Sequence, residues 1–289
     1  SEPGRREAKL VDVLERNTTQ VVGRFFRERG TGFVYPERRV LHRDLLIPKE
    51  LENGAQEGQM VVARLVEQPS PRARPVGEIV EVLGEHMAPG LEIDVAIRAH
   101  GIPDHWPAAV IDELVDVRPE VEELHKVGRV DLRTLPLVTI DGPDAKDFDD
   151  AVYCERTKKG WRLLVAIADV AAYVVPGTAL DEEARRRGNS TYFPGRVVPM
   201  LPELLSNGLC SLNPGRDRLC MVCEMYIDTN GRIFRSRFFE AVMCSAARLT
   251  YEEVADAVGP DTDGTRAELG SLSAHIDELY ALFQVLLEA

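Results

Sequence analysis

Five aspartates lie within ten residues of one another, in the segment TIDGPDAKDFDD that ends at Asp150. The apolar stretch LPLVTI leads into this segment and AVYC follows it, so the acidic loop is predicted to join two buried strands. Two carboxylates about 4 Å apart repel each other by roughly 4 kcal/mol at an effective dielectric near 20. A fold that gathers several of them must therefore protonate them, lose stability or bind a cation.

Carboxylate-only ligation selects a hard cation such as Mg²⁺, Mn²⁺ or Ca²⁺. An EF-hand loop that began at Asp141 would need Gly where Lys146 stands and Glu where Val152 stands, so that calcium site is excluded. Mg²⁺ commonly shares its ligands with substrate phosphates and polarises phosphoryl oxygens. The segment therefore favours a metal-dependent phosphodiester hydrolase. A solvated acidic loop and a metal site without catalysis are the alternatives.

Length and composition indicate an ordinary globular chain of about two domains, with 289 residues of which 44% are hydrophobic and 29% charged. No apolar run approaches the roughly 20 residues that span a bilayer, and the first residues lack a signal-peptide core. We therefore expect a cytoplasmic protein with no membrane partner. The pair Cys220 and Cys223 has no second pair to complete a zinc site, and RLCMVCEMYI predicts a buried strand.

The net charge of −13 is unusual for a nucleic-acid-binding protein, but it is unevenly distributed. Residues 1–80 hold 14 Lys and Arg against 12 Asp and Glu, whereas residues 81–130 hold 4 against 11. Local surfaces and bound cations decide contact with nucleic acid, so the net charge is only a weak argument against a nucleic-acid-binding protein.

Residues 8–84 alternate short apolar runs with turn residues, a pattern typical of a small barrel of the oligonucleotide-binding type. The five predicted strands are KLVDVLE, QVVGRFF, TGFVYP, MVVARLVEQ and VGEIVEVL, with a long connection and a short helix between the third and fourth. Aromatic and basic side chains are interleaved in VVGRFFRERGTGFVYP. The rings predicted to stack on bases are Phe25, Phe33 and Tyr35, and the arginines that could reach phosphates are Arg24, Arg27 and Arg29. Because side chains alternate along a strand, core packing is an equal alternative for these rings.

Residues 85–130 are predicted to be a connector, first broken by Pro and Gly and then carrying one or two short acidic helices. From residue 131 the pattern becomes α/β. Hairpins are predicted across TKKG and across Asn230–Gly231, and helix starts are predicted at Thr178 and at the Thr250/Glu253 capping box. The sequence ends inside the last predicted helix, which favours a truncated chain.

Two long segments resemble the catalytic domain of the ribonuclease II and ribonuclease R (RNB) family. They are TIDGPDAKDFDDAV with WRLLVAIADV, and STYFPGRVVPMLPELLSNGLCSLNPGRDRLCMVCEM. Upstream, AKLVDVLERNTTQVVGRFF and PVGEIVEVLG resemble a cold-shock domain of the same family. The resemblance implies an α+β multidomain fold. A cold-shock (OB-fold) β-barrel would occupy 1–84 and a connector 85–130, and an incomplete α/β RNB catalytic domain would occupy 131–289.

The family resemblance implies a processive 3′–5′ exoribonuclease of the exoribonuclease II type, which uses Mg²⁺ (with Mn²⁺ as a substitute). Its expected partners are single-stranded RNA and structured RNA with a 3′ overhang, and its products are nucleoside 5′-monophosphates. By position, the metal-holding aspartates fall on Asp141 and Asp150 with Asp147 in support. The hydrolytic step is assigned chiefly to Asp149, together with Asp147, and the clamping tyrosine falls on Tyr192. Asp144 lies outside the family pattern.

The resemblance also predicts what this chain lacks: a first cold-shock domain, the second half of the catalytic domain with its catalytic arginine, and an S1 domain. Without that arginine a main source of transition-state charge stabilisation is missing, so the 289 residues alone are expected to be weakly active or inactive. A second fragment that completes the domain is a candidate partner, and the intact protein is expected to be a monomer. The alternative function is an RNA-binding protein that keeps the fold without hydrolysis, although the four intact aspartates favour the enzyme.

Overall fold

The computed structural model describes residues 18–38, 43–70, 73–85, 88–259 and 263–289. The chain divides between Asp104 and His105 into two compact units. The segment predicted as a connector, 85–130, therefore contributes to both units. The first predicted strand, KLVDVLE, falls outside the described residues.

The first unit is a closed five-stranded barrel followed by one helix. Its elements are β1 (Gln20–Glu28), β2 (Thr31–Pro36), β3 (Leu45–Ile47), β4 (Gln59–Glu67), β5 (Val76–Glu85) and α1 (Leu91–His100). The strand order is β1-β2-β3-β5-β4, and β4 closes the barrel onto β1. Among the described strands of this unit, only β3 and β5 pair in parallel. The predicted barrel of the oligonucleotide-binding type is confirmed.

Two elements of the first unit were not predicted. Strand β3 lies in the segment assigned to a connection, because a run of three apolar residues is too short to show a period of two. Helix α1 lies where Pro and Gly were taken as breaks, whereas they bound the helix: Gly101 ends it with a φ of +63°. That left-handed conformation suits glycine at a helix C-terminus.

The second unit is built on a seven-stranded sheet with the order β14-β7-β8-β9-β12-β13-β6. Its strands are β6 (Val130–Asp131), β7 (Val138–Asp141), β8 (Asp150–Thr157), β9 (Gly160–Ala168), β12 (Asp217–Asp228), β13 (Ile233–Cys244) and β14 (Ala247–Thr250). The outer pairs β14–β7 and β13–β6 are parallel, and the inner pairs are antiparallel. Both predicted hairpins are present. Gly160 closes the first with a φ of +144°, and a Cβ there would lie 2.0 Å from the carbonyl oxygen of Ile227.

The described part of the second unit also contains α-helices, a π-helical turn and a two-stranded ribbon. They are α2 (Ala108–Leu114), α3 (Glu123–Lys126), α4 (Ala179–Arg187), the two-stranded ribbon β10 (Thr191–Phe193) and β11 (Arg196–Val198), a π-helical turn (Leu204–Leu209), α5 (Tyr251–Val258), α6 (Asp263–Leu269) and α7 (Ser273–Glu288). No described helix has both the length and the apolar character required to cross a membrane.

Side-chain alternation gives the large sheet two buried faces. On one face Leu164 and Val222 pack with residues of α2, α4 and the π-helical turn. On the other face Cys154 and Trp161 pack against Leu282 of α7. Cys220 and Cys223 are three residues apart in β12, so they point to opposite faces of the sheet. The prediction that they belong to a strand is confirmed.

Candidate active site

The acidic loop joins two neighbouring strands of the large sheet, as predicted. Asp141 is the last residue of β7, and Asp150 is the first residue of β8. Asp141 is paired in register with Thr250 of β14, and Asp150 with Ile167 of β9. The two ends of the loop are therefore held by the sheet itself.

Phe148 anchors the loop from within. Its ring is 4% exposed and belongs to the main hydrophobic core, although aspartates stand on both sides of it in sequence. Its carbonyl oxygen accepts a hydrogen bond from the Leu212 amide at 2.8 Å, and the next carbonyl, that of Asp149, accepts one from Ala168 at 2.8 Å. Burial of this one ring forces the neighbouring carboxylates to stay at the edge of the core.

The pKa shifts in the loop show that the charges of the predicted aspartates act on one another. Asp149 keeps solvent access, yet its pKa is raised, first by partial burial and then by the other three carboxylates, Asp147, Asp150 and Asp141. The pKa of Asp150 is likewise raised by burial and by the charge of Asp141. Asp144 is exposed and does not contribute to either shift. The charges of the other three predicted carboxylates thus act on Asp149, and Asp144 is not among them.

The donor set fits a hard divalent cation in its chemistry. It consists of carboxylate oxygens without thiolate or imidazole, and its mutual repulsion is what a cation would relieve. Within the ranges that the structure describes, no three His, Cys, Asp or Glu side chains converge as metal ligands. The assignment of Asp141, Asp150 and Asp147 to a metal therefore stays a prediction.

Tyr192 lies at the same site, on the short ribbon strand β10. Its side chain is 64% exposed, and its hydroxyl donates a hydrogen bond of 2.9 Å to Oδ2 of Asp147. Partial burial and then this hydrogen bond raise the pKa of the Tyr192 hydroxyl. Tyr192 is therefore not a core ring, because its side chain is open to solvent beside the acidic loop.

The barrel residues predicted to bind RNA separate into two groups. Tyr35 is 63% exposed, and it lies directly across the β1–β2 ladder from Arg24, which is also exposed. Phe25 is 0% exposed, so the prediction that it stacks on bases is wrong: its ring is part of the barrel core. Phe33 is 8% exposed and stacks on Phe26 at 5.6 Å, but it lies on the opposite face of β2 from the core residue Val34, so its predicted base contact stays a prediction.

Two residues that support the acidic loop were not found from the sequence. The Arg248 guanidinium lies 4.8 Å from the centre of the Phe148 ring and donates a hydrogen bond to the carbonyl of Pro143. The Ser211 hydroxyl contacts the loop backbone. Arg248 is 105 residues from Pro143, and Ser211 is 63 and 65 residues from Phe148 and Lys146. No local period or motif connects positions so far apart. The only available signal was the presence of Ser211 in the segment GLCSLNPG, which carries part of the family resemblance.

Comparison with known proteins gives matches along the whole chain. A family model described as the RNB domain matches residues 129–289, and one described as the cold shock domain matches residues 33–107. Ribonuclease R of Escherichia coli (strain K12) is 55% identical over 284 residues, which are 98% of this chain and 35% of that protein. Ribonuclease R of Vibrio parahaemolyticus is 55% identical over 290 residues, 100% of this chain and 35% of that protein. This chain therefore spans about a third of the length of these relatives.

Solved structures match the fold as well. Mycoplasma genitalium RNase R in complex with double-stranded RNA has a TM-score of 0.83 and 28% identity, over 96% of this chain and 49% of that one. The same enzyme in complex with ribose-methylated single-stranded RNA has a TM-score of 0.83 and 28% identity, over 95% of this chain and 43% of that one. From the barrel, the acidic loop and these matches together, the chain belongs to the RNB-domain family, with a cold-shock domain that precedes the RNB domain.

Proposed function

We propose that the protein to which this chain belongs is a processive, Mg²⁺-dependent 3′–5′ exoribonuclease. Its substrates are single-stranded RNA and structured RNA with a 3′ overhang, and its products are nucleoside 5′-monophosphates. The observation that carries the proposal is the site itself: three other aspartates raise the pKa of Asp149, and an exposed tyrosine donates a hydrogen bond to one of them, Asp147. The 55% identity to ribonuclease R supports the proposal, as do the RNA complexes of the Mycoplasma enzyme.

Each residue of the site has a distinct task in this proposal. Asp141 and Asp150 hold the cation, and Asp147 supports them. A bound Mg²⁺ supplies Lewis-acid polarisation of the scissile phosphate and offsets the charge of the carboxylates. The exposed ring of Tyr192 stacks on the terminal base, and since every base has a π-face the grip is tolerant of sequence.

Asp149 acts in the hydrolytic step. It orients the attacking water and accepts the water proton at a carboxylate oxygen. The water oxygen forms a bond to phosphorus, and the bond between phosphorus and the 3′-oxygen of the penultimate nucleotide breaks. That 3′-oxygen takes a proton from solvent, so the terminal nucleotide leaves with a 5′-phosphate.

The test is release of mononucleotide from 3′-labelled poly(A) in the presence of Mg²⁺. Asp149→Asn should lower the rate by roughly 10²–10⁴-fold, the usual contribution of a positioned acid–base group. Asp144→Asn is the matched control, because this aspartate lies in the same loop but outside the group of four, and its rate should stay near wild type. Removal of Mg²⁺ with a chelator should stop release.

The same assay distinguishes the hydrolase from the alternative function, an RNA-binding protein without hydrolysis. If the intact protein binds poly(A) and releases no nucleotide with Mg²⁺ or Mn²⁺, hydrolysis is refuted and an RNA-binding protein that keeps the fold remains. If Asp149→Asn and Asp144→Asn are equally active, the assignment of Asp149 is refuted while the hydrolase stands.

A further inference from the structure

A single hydroxyl group contacts both peptide units that flank Asp147. The Ser211 Oγ donates a hydrogen bond to the carbonyl oxygen of Lys146 at 3.1 Å, and it accepts one from the amide of Phe148 at 3.0 Å. These groups belong to the peptide bonds before and after Asp147. One side chain therefore fixes the two backbone torsions of Asp147, and with them the direction in which its carboxylate leaves the chain.

Ser211 is itself held firmly enough to act as a support. It is 0% exposed, and its amide donates to the carbonyl of Gly208 at 3.1 Å. Its carbonyl accepts a hydrogen bond of 2.8 Å from Nε of Arg218, a guanidinium that is 5% exposed. The Nη1 atom of Arg218 donates a hydrogen bond of 2.9 Å to the carbonyl oxygen of Asp217. Burial and these bonds leave the hydroxyl little freedom to follow a displaced loop.

The hydrogen bonds continue from Asp147 to the exposed ring. Asp147 accepts at Oδ2 from the hydroxyl of Tyr192. A shift of the Asp147 backbone therefore changes the position of a carboxylate in the acidic group and removes the partner of Tyr192 at the same time. In the described part of the chain, the Ser211 hydroxyl contacts the loop backbone and not the carboxylates or the ring, so its effect on them passes through that backbone.

We propose that Ser211 is a positioning residue, whose hydroxyl orients the Asp147 carboxylate for cation binding and for its contact with Tyr192. This inference rests on the proposed function, because it assigns Ser211 a task at the same site. Groups that hydrogen-bond to a metal ligand and orient it typically change metal affinity by 10–100-fold when they are removed. Ser211→Ala leaves the Phe148 amide and the Lys146 carbonyl without this partner, whereas Ser211→Thr keeps a hydroxyl.

The experiment measures Mn²⁺ affinity of the 289-residue chain from the EPR signal of free Mn²⁺, together with thermal unfolding of each variant. The matched control is Ser245→Ala, since Ser245 is 2% exposed in the same unit and its hydroxyl bonds to Ala247, outside the acidic loop. Both alanine variants should lose thermal stability to a similar degree. Only Ser211→Ala should weaken Mn²⁺ binding, by about 10-fold or more, and Ser211→Thr should restore it.

The outcomes separate this inference from the proposed function. If wild type binds Mn²⁺ and Ser211→Ala binds it equally well, Ser211 is merely structural and the inference fails while the metal site stands. If wild type binds no Mn²⁺, the metal assignment and the inference fall together. In the intact protein, a lower kcat for Ser211→Ala at an unchanged KM for RNA would support positioning, and an unchanged kcat would overturn it.

Discussion

Asp147 and Tyr192 are 45 residues apart in sequence, and one hydrogen bond joins them at the acidic loop. In the proposed function, this bond brings together a carboxylate of the acidic loop and the ring that would stack on the terminal base. The hydroxyl of Tyr192 holds the ring in place, and the side chain is 64% exposed. Substitutions at Tyr192 can therefore separate the ring from the hydroxyl.

Tyr192→Ala should loosen the grip on the last nucleotides and change the length of the final RNA product. Loss of one base–aromatic stack costs about 1–3 kcal/mol, which corresponds to roughly 5–150-fold in affinity. Tyr192→Phe is the control, since it keeps the ring and removes the hydroxyl that bonds to Asp147. Denaturing gels of end products measure the effect. An identical product ladder for the alanine variant and wild type would contradict the clamp.

Helix α7 is joined to strand β8 through a buried histidine. His275 is 8% exposed, its ring stacks on Tyr153 at 5.2 Å, and its Nδ1 contacts the carbonyl oxygen of Cys154 at 3.3 Å. Among the described residues, Nε2 has no hydrogen-bond partner. Burial lowers the pKa of His275, and hydrogen bonds with the backbone of Cys154 and Val152 offset part of that effect.

This contact makes the packing of α7 sensitive to pH. In the unfolded chain His275 takes up a proton near the ordinary pKa of about 6.5. In the folded chain the same proton binds only at a lower pH. Stability should therefore decline as pH falls below about 6.5, by at most about 1.4 kcal/mol per pH unit from this group. Urea unfolding between pH 7.5 and 5.5 measures the slope.

His275→Phe should flatten that slope, although it also changes stability at every pH. The exposed His100 provides the control, and His100→Gln should leave the slope as in wild type. Equal slopes in wild type and His275→Phe would show that other groups cause the pH dependence.

The whole molecule is strongly acidic, with a net charge of −13, and yet its first unit presents an exposed pair of one basic and one aromatic side chain. Arg24 and Tyr35 are paired across β1 and β2 with both side chains exposed. RNA affinity is governed by such local surfaces and not by the total, because phosphate contacts release counterions where they are made.

Arg24→Ala should therefore weaken binding of single-stranded RNA and reduce the slope of log affinity against log salt by about 1. Arg64→Ala is the matched control in the same barrel, because Glu78 already pairs with Arg64 at 2.6 Å. Fluorescence anisotropy at several salt concentrations gives both slopes. If the two variants behave alike, Arg24 is not a phosphate contact.

Local chemistry was sufficient to predict many elements from the sequence. The Asn230–Gly231 hairpin and the capping box of Thr250 and Glu253 are both present, because turns and helix starts depend on residues a few positions apart. The acidic loop between two strands was predicted for the same reason: the apolar runs beside it are contiguous. Strand β3 and helix α1 were missed where short or Pro/Gly-bounded runs carry little periodic signal.

The sequence by itself determined the residue types of the site and, through long motifs, the family of the chain. Only the tertiary structure decided which rings face solvent, because a strand with alternating side chains has two faces and the barrel chooses which one is buried. It therefore separated Tyr35 from Phe25. It also brought Ser211 to the backbone of Asp147, a contact that arises from packing of distant segments and leaves no trace in local sequence.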